Sequence, residues 1–281
     1  MRSWLADLQL ETVLAPGGET RLGTIKHSGP LRVQKPFIQQ DGGCHIYLLH
    51  PPGGIVSGDQ LRIKFAAGEN TNTLITSPSA SRFYGSASVD LTQSQKVTLD
   101  LGGDAHLDWL PQETIFYENC RAKLTSLVNL SNSSTYVGWD ILVLGRRASG
   151  ESFNKGIFDQ SVRLFENGRL IHREYLELND QNRLLAKEPW GLSGRSHVGT
   201  FVAVSRTNGG EPVKSVTMKL QCLLSDIHWG VTSKGRLILV RYLGSSTQAC
   251  LAGFKLARSQ IAEAGLLNRE GSGCYPRVWN T

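Results

Sequence analysis

His50-Pro51-Pro52-Gly53-Gly54-Ile55-Val56-Ser57-Gly58-Asp59 is the most informative stretch of this chain, because it places two prolines and three glycines within ten residues. The prolines fix φ and favour an extended backbone. The glycines permit backbone conformations that side chains forbid. We therefore predict a shaped connection between strands, with His50 and Asp59 at its two ends.

The segments outside this stretch read mainly as short strands. Leu61–Phe65 and Lys96–Leu101 alternate apolar and polar residues with a period of two, as half-buried strands do. Two further alternating runs, Ser161–Glu166 and Arg169–Glu174, flank an Asn-Gly pair, which is the strongest short-range hairpin signal. A second hairpin is predicted around Ser233–Gly235.

Helical patterns are scarce, so the sequence predicts a mainly β fold, antiparallel or coiled, in preference to βαβ units. We expect about two α-helices. The clearer one is Gln248–Leu267 near the C-terminus, whose apolar face predicts either packing over a sheet edge or the binding of a partner. A weaker helix is predicted around Ser79–Tyr84, and Val216–Leu220 is predicted to be a strand.

Composition excludes several classes of protein. The chain has 281 residues and a net charge of +6, with basic residues interleaved among acidic ones, which favours a protein partner over nucleic acid. It has no apolar run long enough for a membrane span and no apolar leader, so we expect a cytoplasmic protein. Its five cysteines show no CxxC spacing, which predicts buried, reduced thiols.

Motifs for common catalytic chemistry are missing. The sequence contains no GxxxxGK[ST], strand-linked GxGxxG, HExxH or GxSxG, and no two histidines have a recognised ligand spacing. Carboxylates recur in turn-rich or strand-end contexts, which fits either a solvated surface or an internal polar passage for a divalent ion. They are Asp100, Asp104, Asp108, Glu113, Glu118, Glu174 and Glu177.

Five sequence blocks, in order along nearly the whole chain, resemble the UreD (also called UreH) family of urease accessory proteins. The first is His50–Asp59, which resembles the family's HPPGGxxxGD signature. In the second, Arg82 replaces the usual lysine of a TxPxAxKxY segment. The blocks are 50–59, 76–84, 109–116 (WxPQE), 144–151 (LGRxAxGE) and 276–281 (PRxWxT).

The resemblance implies one domain, residues 1–281, with a coiled, β-helix-like arrangement of strands. It implies a non-catalytic subunit that helps to insert nickel into urease. The implied partners are the urease apoprotein, a helical accessory protein (UreF type), a GTPase (UreG type) that hydrolyses the GTP and, indirectly, a nickel metallochaperone (UreE type). No tightly bound cofactor is implied, only nickel in transit, for which an internal polar route has been proposed in the family.

The candidate site residues follow from the residue pattern itself and from the family resemblance. Pro51, Pro52, Gly53, Gly54 and Gly58 would shape the motif. A β-branched residue at Gly54 is expected to disrupt the fold by resisting a positive φ. The candidates for ion transit are His50, Asp59, Glu113, Glu174 and Glu177.

Other interpretations of these residues stay open. Asp59 is expected either to line a polar passage or to act only as a turn residue. The chain could be a passive scaffold without a metal route. A third alternative is a carbohydrate-active β-solenoid enzyme, with Asp104 and Asp108 as its pair of carboxylates.

Overall fold

A computed structural model describes residues 3–86, 91–268 and 275–280. Within these ranges the chain forms eighteen strands and two α-helices. The strands are β1 (Leu5–Leu14), β2 (Thr20–Ser28), β3 (Arg32–Val33), β4 (Phe37–Ile38), β5 (Cys44–Leu49), β6 (Gln60–Ala67), β7 (Asn72–Thr76), β8 (Ser81–Phe83), β9 (Gln93–Leu101), β10 (His106–Leu110), β11 (Thr114–Phe116), β12 (Arg121–Leu130), β13 (Thr135–Leu144), β14 (Ile157–Glu166), β15 (Arg169–Leu178), β16 (His197–Val204), β17 (Trp229–Lys234) and β18 (Leu237–Gly244). The helices are α1 (Glu211–Leu223) and α2 (Thr247–Glu263), and short 3-10 turns occupy Arg147–Ser149, Arg183–Ala186 and Arg277–Asn280.

Two mixed sheets contain all of these strands. In the described residues a seven-stranded sheet has the order β15-β14-β12-β9-β6-β1-β2. An eleven-stranded sheet has the order β17-β18-β16-β13-β10-β7-β5-β3, with β4, β8 and β11 beside this path. From β5 to β14 the long strands alternate between the two sheets, so the chain winds as a coil. The prediction of a mainly β, coiled fold with a helix near the C-terminus is confirmed.

Coiling makes the central pairings parallel. The neighbours β6, β9, β12 and β14 pair in parallel in one sheet, as do β5, β7, β10 and β13 in the other. Short turns carry the chain from one sheet to the other, and Asn70 and Asp104 adopt positive φ there, a conformation that asparagine and aspartate tolerate. Antiparallel pairs lie towards the sheet edges, including the predicted hairpins β14–β15 and β17–β18.

The main core lies between the two sheets. Alternate residues of β6 and β9 are buried there, and Phe65 and Leu99 are each only 1% exposed. Three phenylalanine rings stack at one end: Phe83 and Phe116 lie 5.5 Å apart, and Phe116 and Phe158 lie 4.7 Å apart. The outer residues of β6 are exposed, which explains its alternation in sequence.

A second apolar core lies between the eleven-stranded sheet and the helices. The predicted C-terminal helix is α2, which contacts β13, β16 and β18 and therefore packs on the face of the sheet, not over its edge. Gly199 permits this close approach, since an added Cβ would lie 2.5 Å from Cys250 Sγ. Phe254, Arg258 and Ile261 are fully buried on the predicted face.

The second predicted helix is in the wrong place. Residues 81–83 form strand β8, which pairs in parallel with β11 and buries Phe83 completely. The second helix is α1, which includes the predicted strand Val216–Leu220. Val213, Val216 and Leu220 are buried at helical spacing, so this apolar run follows the 3.6-residue period and not the period of two.

Buried thiols are confirmed for Cys44, Cys120 and Cys250, whereas Cys222 is exposed and Cys274 lies outside the described residues. Burial raises the pKa of Cys44 to about 11, so this thiol is protonated at neutral pH. In the described part of the chain, no helix is both long enough and apolar enough to cross a membrane.

Candidate functional site

The His50–Asp59 motif forms the connection between β5 and β6 and contains two tight turns. Gly53 N donates to His50 O over 3.0 Å, and Asp59 N donates to Val56 O over 3.0 Å. Gly53 and Gly58 have φ of 75° and 85°, a region that favours glycine. The motif is therefore a shaped connection, as predicted from its composition.

Asp59 is buried and both of its carboxylate oxygens accept backbone hydrogen bonds. Oδ1 accepts from Trp4 N over 2.7 Å, and Oδ2 accepts from Val56 N over 3.0 Å. These bonds tie the turn to the start of the chain. The geometry favours the interpretation of Asp59 as a turn residue over that of an ion ligand, because both oxygens already have partners.

Gly54 was expected to have a positive φ that a β-branched residue would resist, and this prediction is wrong. Among the residues of the motif, only Gly53 and Gly58 have positive φ. Gly54 is instead constrained by a neighbouring ring, since an added Cβ would lie 2.1 Å from Tyr84 Cε2. That ring packs edge-to-face against Tyr117, with 4.8 Å between their centroids.

The second sequence block holds the motif in place. Ile55 N donates to Arg82 O over 2.7 Å, Tyr84 N donates to Ile55 O over 3.0 Å, and Arg82 Nη1 donates to Gly53 O over 3.2 Å. Arg82 therefore contacts the motif through both its backbone and its side chain, at the position where the family pattern has lysine.

A cavity of about 400 Å³ lies between the motif, residues 76–82 and the Trp109–Pro111 segment. Its lining is mostly apolar, with His50, Arg82 and Gln95 among the polar exceptions. Burial lowers the pKa of His50, partly offset by the charge of Asp59, so the imidazole is neutral at neutral pH. Three sequence blocks that are distant along the chain therefore meet around one cavity.

The C-terminal block joins the same region. Trp279 Nε1 donates to Thr76 Oγ1 over 3.2 Å, and Thr76 Oγ1 donates to Leu110 O over 2.6 Å. Trp139 lies 5.8 Å from Trp279 and donates through Nε1 to Pro111 O over 2.8 Å. Thr281, the last residue of this block, lies outside the described residues.

A fully buried ion pair joins β10 to α2. Arg258 Nη2 and Nε donate to Asp108 over 2.6 and 3.1 Å, and His106 Nε2 lies 3.4 Å from the same carboxylate. Burial alone would raise the pKa of Asp108, but the charges of Arg258 and His106 hold it well below its usual range. Asp104 is exposed in a turn whereas Asp108 is fully buried, so the pair of carboxylates in the carbohydrate-active alternative does not share a groove.

A different polar cluster lies between the two sheets. Asp140, Thr200 and Arg241 are in direct register on β13, β16 and β18. Across the gap, Glu174 of β15 accepts a hydrogen bond from Arg241 Nη2 over 2.7 Å. Asp140, Thr200 and Glu174 line a cavity of about 20 Å³, which is large enough for about one water molecule.

The pKa values of the two carboxylates of this inter-sheet cavity are shifted in opposite directions. Burial raises the pKa of Asp140 to about 6, and no hydrogen bond or ion pair to Asp140 occurs within the described ranges. Burial also acts on Glu174, but the nearby His172 imidazole, 3.4 Å away, and the hydrogen bond from Arg241 outweigh it and lower the pKa. Asp140 was missed by the sequence reasoning, although it is the single charged residue of the run Tyr136–Leu144.

The predicted transit residues do not form one site. Glu177 accepts hydrogen bonds from Tyr175 Oη and Asn179 Nδ2, both over 2.8 Å, and lies on the opposite face of β15 from Glu174. Glu113 lies in the connection between β10 and β11. In the part of the chain that is described, no hydrogen bond or ion pair joins any two of the five predicted transit residues. In that same part, no group of three or more His, Cys, Asp or Glu residues is placed to hold a metal ion.

Comparison with known proteins agrees with the sequence blocks. A family model described as UreD urease accessory protein matches residues 5–280. The chain belongs to the UreD family of urease accessory proteins. It is 38% identical over 283 residues to urease accessory protein UreD of Saccharophagus degradans, covering 100% of this chain and 94% of that protein. It is 38% identical over 296 residues to UreD of Psychromonas ingrahamii, covering 99% and 94%. UreD of Chromohalobacter salexigens is 34% identical over 293 residues, covering 100% of this chain and 90% of that protein.

Proposed function

We propose that this chain is a non-catalytic urease maturation factor that helps to insert nickel into the urease apoprotein. It acts together with a helical accessory protein and a GTPase, and it passes the ion through the space between its two sheets. Membership of the UreD family supports the role in maturation. The observation that supports an internal route for the ion is the inter-sheet cavity with its carboxylates Asp140 and Glu174.

The surroundings of Asp140 support a role for its carboxylate other than stabilising the fold. A carboxylate between two packed sheets costs free energy unless partners compensate for its lost hydration. The ion pair of Asp108 shows that this fold can supply such partners. Asp140 has none in the described residues, and its raised pKa reflects that cost. A passing cation would supply the missing compensation.

The chemistry of the cavity suits transfer better than storage. Carboxylates and water hold a nickel ion less firmly than imidazole or thiolate ligands, which suit it well. Glu174 is already paired with Arg241 and His172, whereas Asp140 has no such partner among the described residues. One free carboxylate beside one charge-paired carboxylate favours brief contact with the ion over tight binding.

The proposal is tested by reconstitution of urease from apoprotein, the accessory proteins, nickel and GTP. We expect activation to disappear when this chain is omitted, and undiminished activation without it would refute the function. Asp140→Asn and Glu174→Gln are expected to lower the nickel bound per urease, measured by mass spectrometry, while the complex still assembles on gel filtration.

The matched control is Asp159→Asn, the same substitution on the outward face of β14, where Asp159 forms a 3.8 Å ion pair with Lys123. If Asp140→Asn, Glu174→Gln and their double variant load nickel as well as this control, the internal route is wrong. The chain would then be a passive scaffold, the alternative without a metal route.

A further inference from the structure

A basic pocket lies apart from both cavities described above. It has a volume of about 370 Å³ and lies between residues 144–154 and residues 183–195. Four cationic side chains line it, and none of its described lining residues is Asp or Glu. The cations are Arg147, Arg183, Lys187 and Arg195.

Arg147 bridges the two walls of the pocket. Its Nη1 donates to Ser152 Oγ and its Nη2 donates to Gly194 O, both over 3.3 Å. Its charge also reaches His197, where burial and then the Arg147 charge lower the pKa of the imidazole. The guanidinium is therefore fixed in place but not neutralised.

Most of the charge in this pocket has no counterion among the residues that the structure describes. Arg183 pairs with Asp180 over 3.1 Å, through a carboxylate that is 84% exposed. Across residues 3–86, 91–268 and 275–280, neither Arg147, Lys187 nor Arg195 forms an ion pair with a carboxylate. Three positive charges around one concave surface attract anions and repel a divalent cation such as nickel. The pocket is therefore unsuited to be an entrance for the metal.

Two large apolar side chains project from the segment that supplies three of these cations. Trp190 is 72% exposed and Leu184 is 64% exposed. Single exposed apolar residues are ordinary, but tryptophan and arginine together are enriched where protein interfaces gain most of their affinity. At about 370 Å³ the pocket is far larger than the cavity of about 20 Å³ between the sheets, which holds about one water, so it accommodates side chains and not only a small anion.

We propose that the basic pocket and the adjoining Trp190 and Leu184 form a docking surface for an acidic segment of a protein partner. Carboxylates of the partner enter the pocket beside Arg147, Lys187 and Arg195, and an apolar side chain of the partner packs on Trp190. Two observations support this proposal: the basic lining of the pocket, which is complementary to acidic side chains, and the exposed Trp190 beside it. It rests on the proposed function, because the partners to be tested are the proteins of urease maturation.

The test measures binding of the full chain to purified urease apoprotein, to the helical accessory protein and to the GTPase, each separately, by biolayer interferometry at two salt concentrations. The variant Arg147→Gln/Lys187→Gln/Arg195→Gln removes three charges. Its matched control, Arg62→Gln/Lys64→Gln/Lys96→Gln, removes three exposed charges from the outer face of the seven-stranded sheet. Melting temperatures identify any loss of fold.

We expect at least one partner to bind the pocket variant about tenfold or more weakly than the control, a change of about 1.4 kcal/mol. We also expect the salt dependence of that binding to be smaller in the pocket variant. Trp190→Ala is expected to weaken the binding of the same partner. If the triple variant does not fold, the double variant Lys187→Gln/Arg195→Gln keeps the hydrogen bonds of Arg147 across the pocket. Its partner binding is then compared with that of the surface control, and weaker binding supports the docking surface.

The outcomes separate the inference from the proposed function. If the wild-type chain binds none of the three partners, the proposed function fails and the docking surface fails with it. If the wild type binds but the pocket variants bind as the control does, only the docking surface is refuted. Saturable binding of inorganic phosphate that disappears in the pocket variant, with partner binding unchanged, would identify a small-anion site and overturn the proposal.

Discussion

Replacing Asp140 with asparagine is expected to stabilise the protein at neutral pH. The carboxylate lies between the two sheets, and burial raises its pKa from the usual 3.8 to about 6. Below pH 3.8 the group is neutral in both the folded and the unfolded chain, so it costs nothing. Between pH 3.8 and 6 the unfolded chain loses its proton first, and the free energy of unfolding falls as pH rises.

The size of the effect follows from the shift in pKa. One pKa unit corresponds to about 1.4 kcal/mol, so a shift of about two units corresponds to about 3 kcal/mol at most. Asp140 retains some exposure, and solvent screening reduces the expected gain to roughly 1–3 kcal/mol. Asparagine has nearly the same shape but never ionises, so Asp140→Asn avoids this cost above pH 6.

The assay is urea unfolding of wild type, Asp140→Asn and the surface control Asp159→Asn at pH 5 and pH 7.5. We expect Asp140→Asn to exceed the wild type in free energy of unfolding by more at pH 7.5 than at pH 5, with no such trend in the control. A variant that is no more stable than wild type at pH 7.5 would show that the Asp140 carboxylate is well solvated or well partnered in the fold. The argument from desolvation would then be wrong.

Other substitutions test the remaining contacts by the same urea unfolding. Arg258→Met should lower the free energy of unfolding by about 3–5 kcal/mol, because it leaves a buried charge on Asp108 without its partner. Adding Asp108→Leu should restore most of that loss, and no recovery would show that packing dominates at this site. Asp59→Ala should cost about 1–3 kcal/mol, since two partly buried backbone amides lose their acceptor, and an unchanged midpoint would contradict this. Gly54→Ala should cost about 1–3 kcal/mol by displacing the Tyr84 ring, and the double variant with Tyr84→Ala should lose less than the sum of the two single changes.

Local features of the fold could be predicted from the sequence because they depend on neighbours in the chain. The hairpin β14–β15 follows from Asn167-Gly168 between alternating runs, and the two turns of the His50–Asp59 motif follow from its glycines and prolines. Helix α1 shows the limit of this reasoning. Val216–Leu220 is too short to distinguish a period of two from one of 3.6, and the full spacing appears only when Val213 is included.

The site could not be predicted in the same way, because it depends on contacts between distant strands. Asp140 and Glu174 line the same cavity only because β13 and β15 belong to the two facing sheets. Nothing in the sequence of either strand fixes how the two sheets are aligned. Arg258 gave a partial signal, since a charged residue on an apolar helix face implies a buried partner. Its partner Asp108 lies 150 positions away in sequence, and the carboxylate could not be chosen among several from the sequence alone.

Asp108 and Asp140 show that the same chemical group has charged partners in one place in this fold and lacks them, among the described residues, in another. Asp108 is compensated by two hydrogen bonds from Arg258 and by the nearby His106. Its charge is therefore already balanced, and the carboxylate does not attract a further cation. Asp140 lies in line with Arg241 but is separated from it by Thr200, and Arg241 pairs with Glu174 instead. Among the described residues this arrangement leaves the partly exposed carboxylate of Asp140 without a charged partner, so ionisation of Asp140 destabilises the fold as the pH rises from 3.8 to 6, and the charge attracts a cation. An ion held only by that deficit is released when the next ligand along its path offers more donors, which is the property that a transfer route requires.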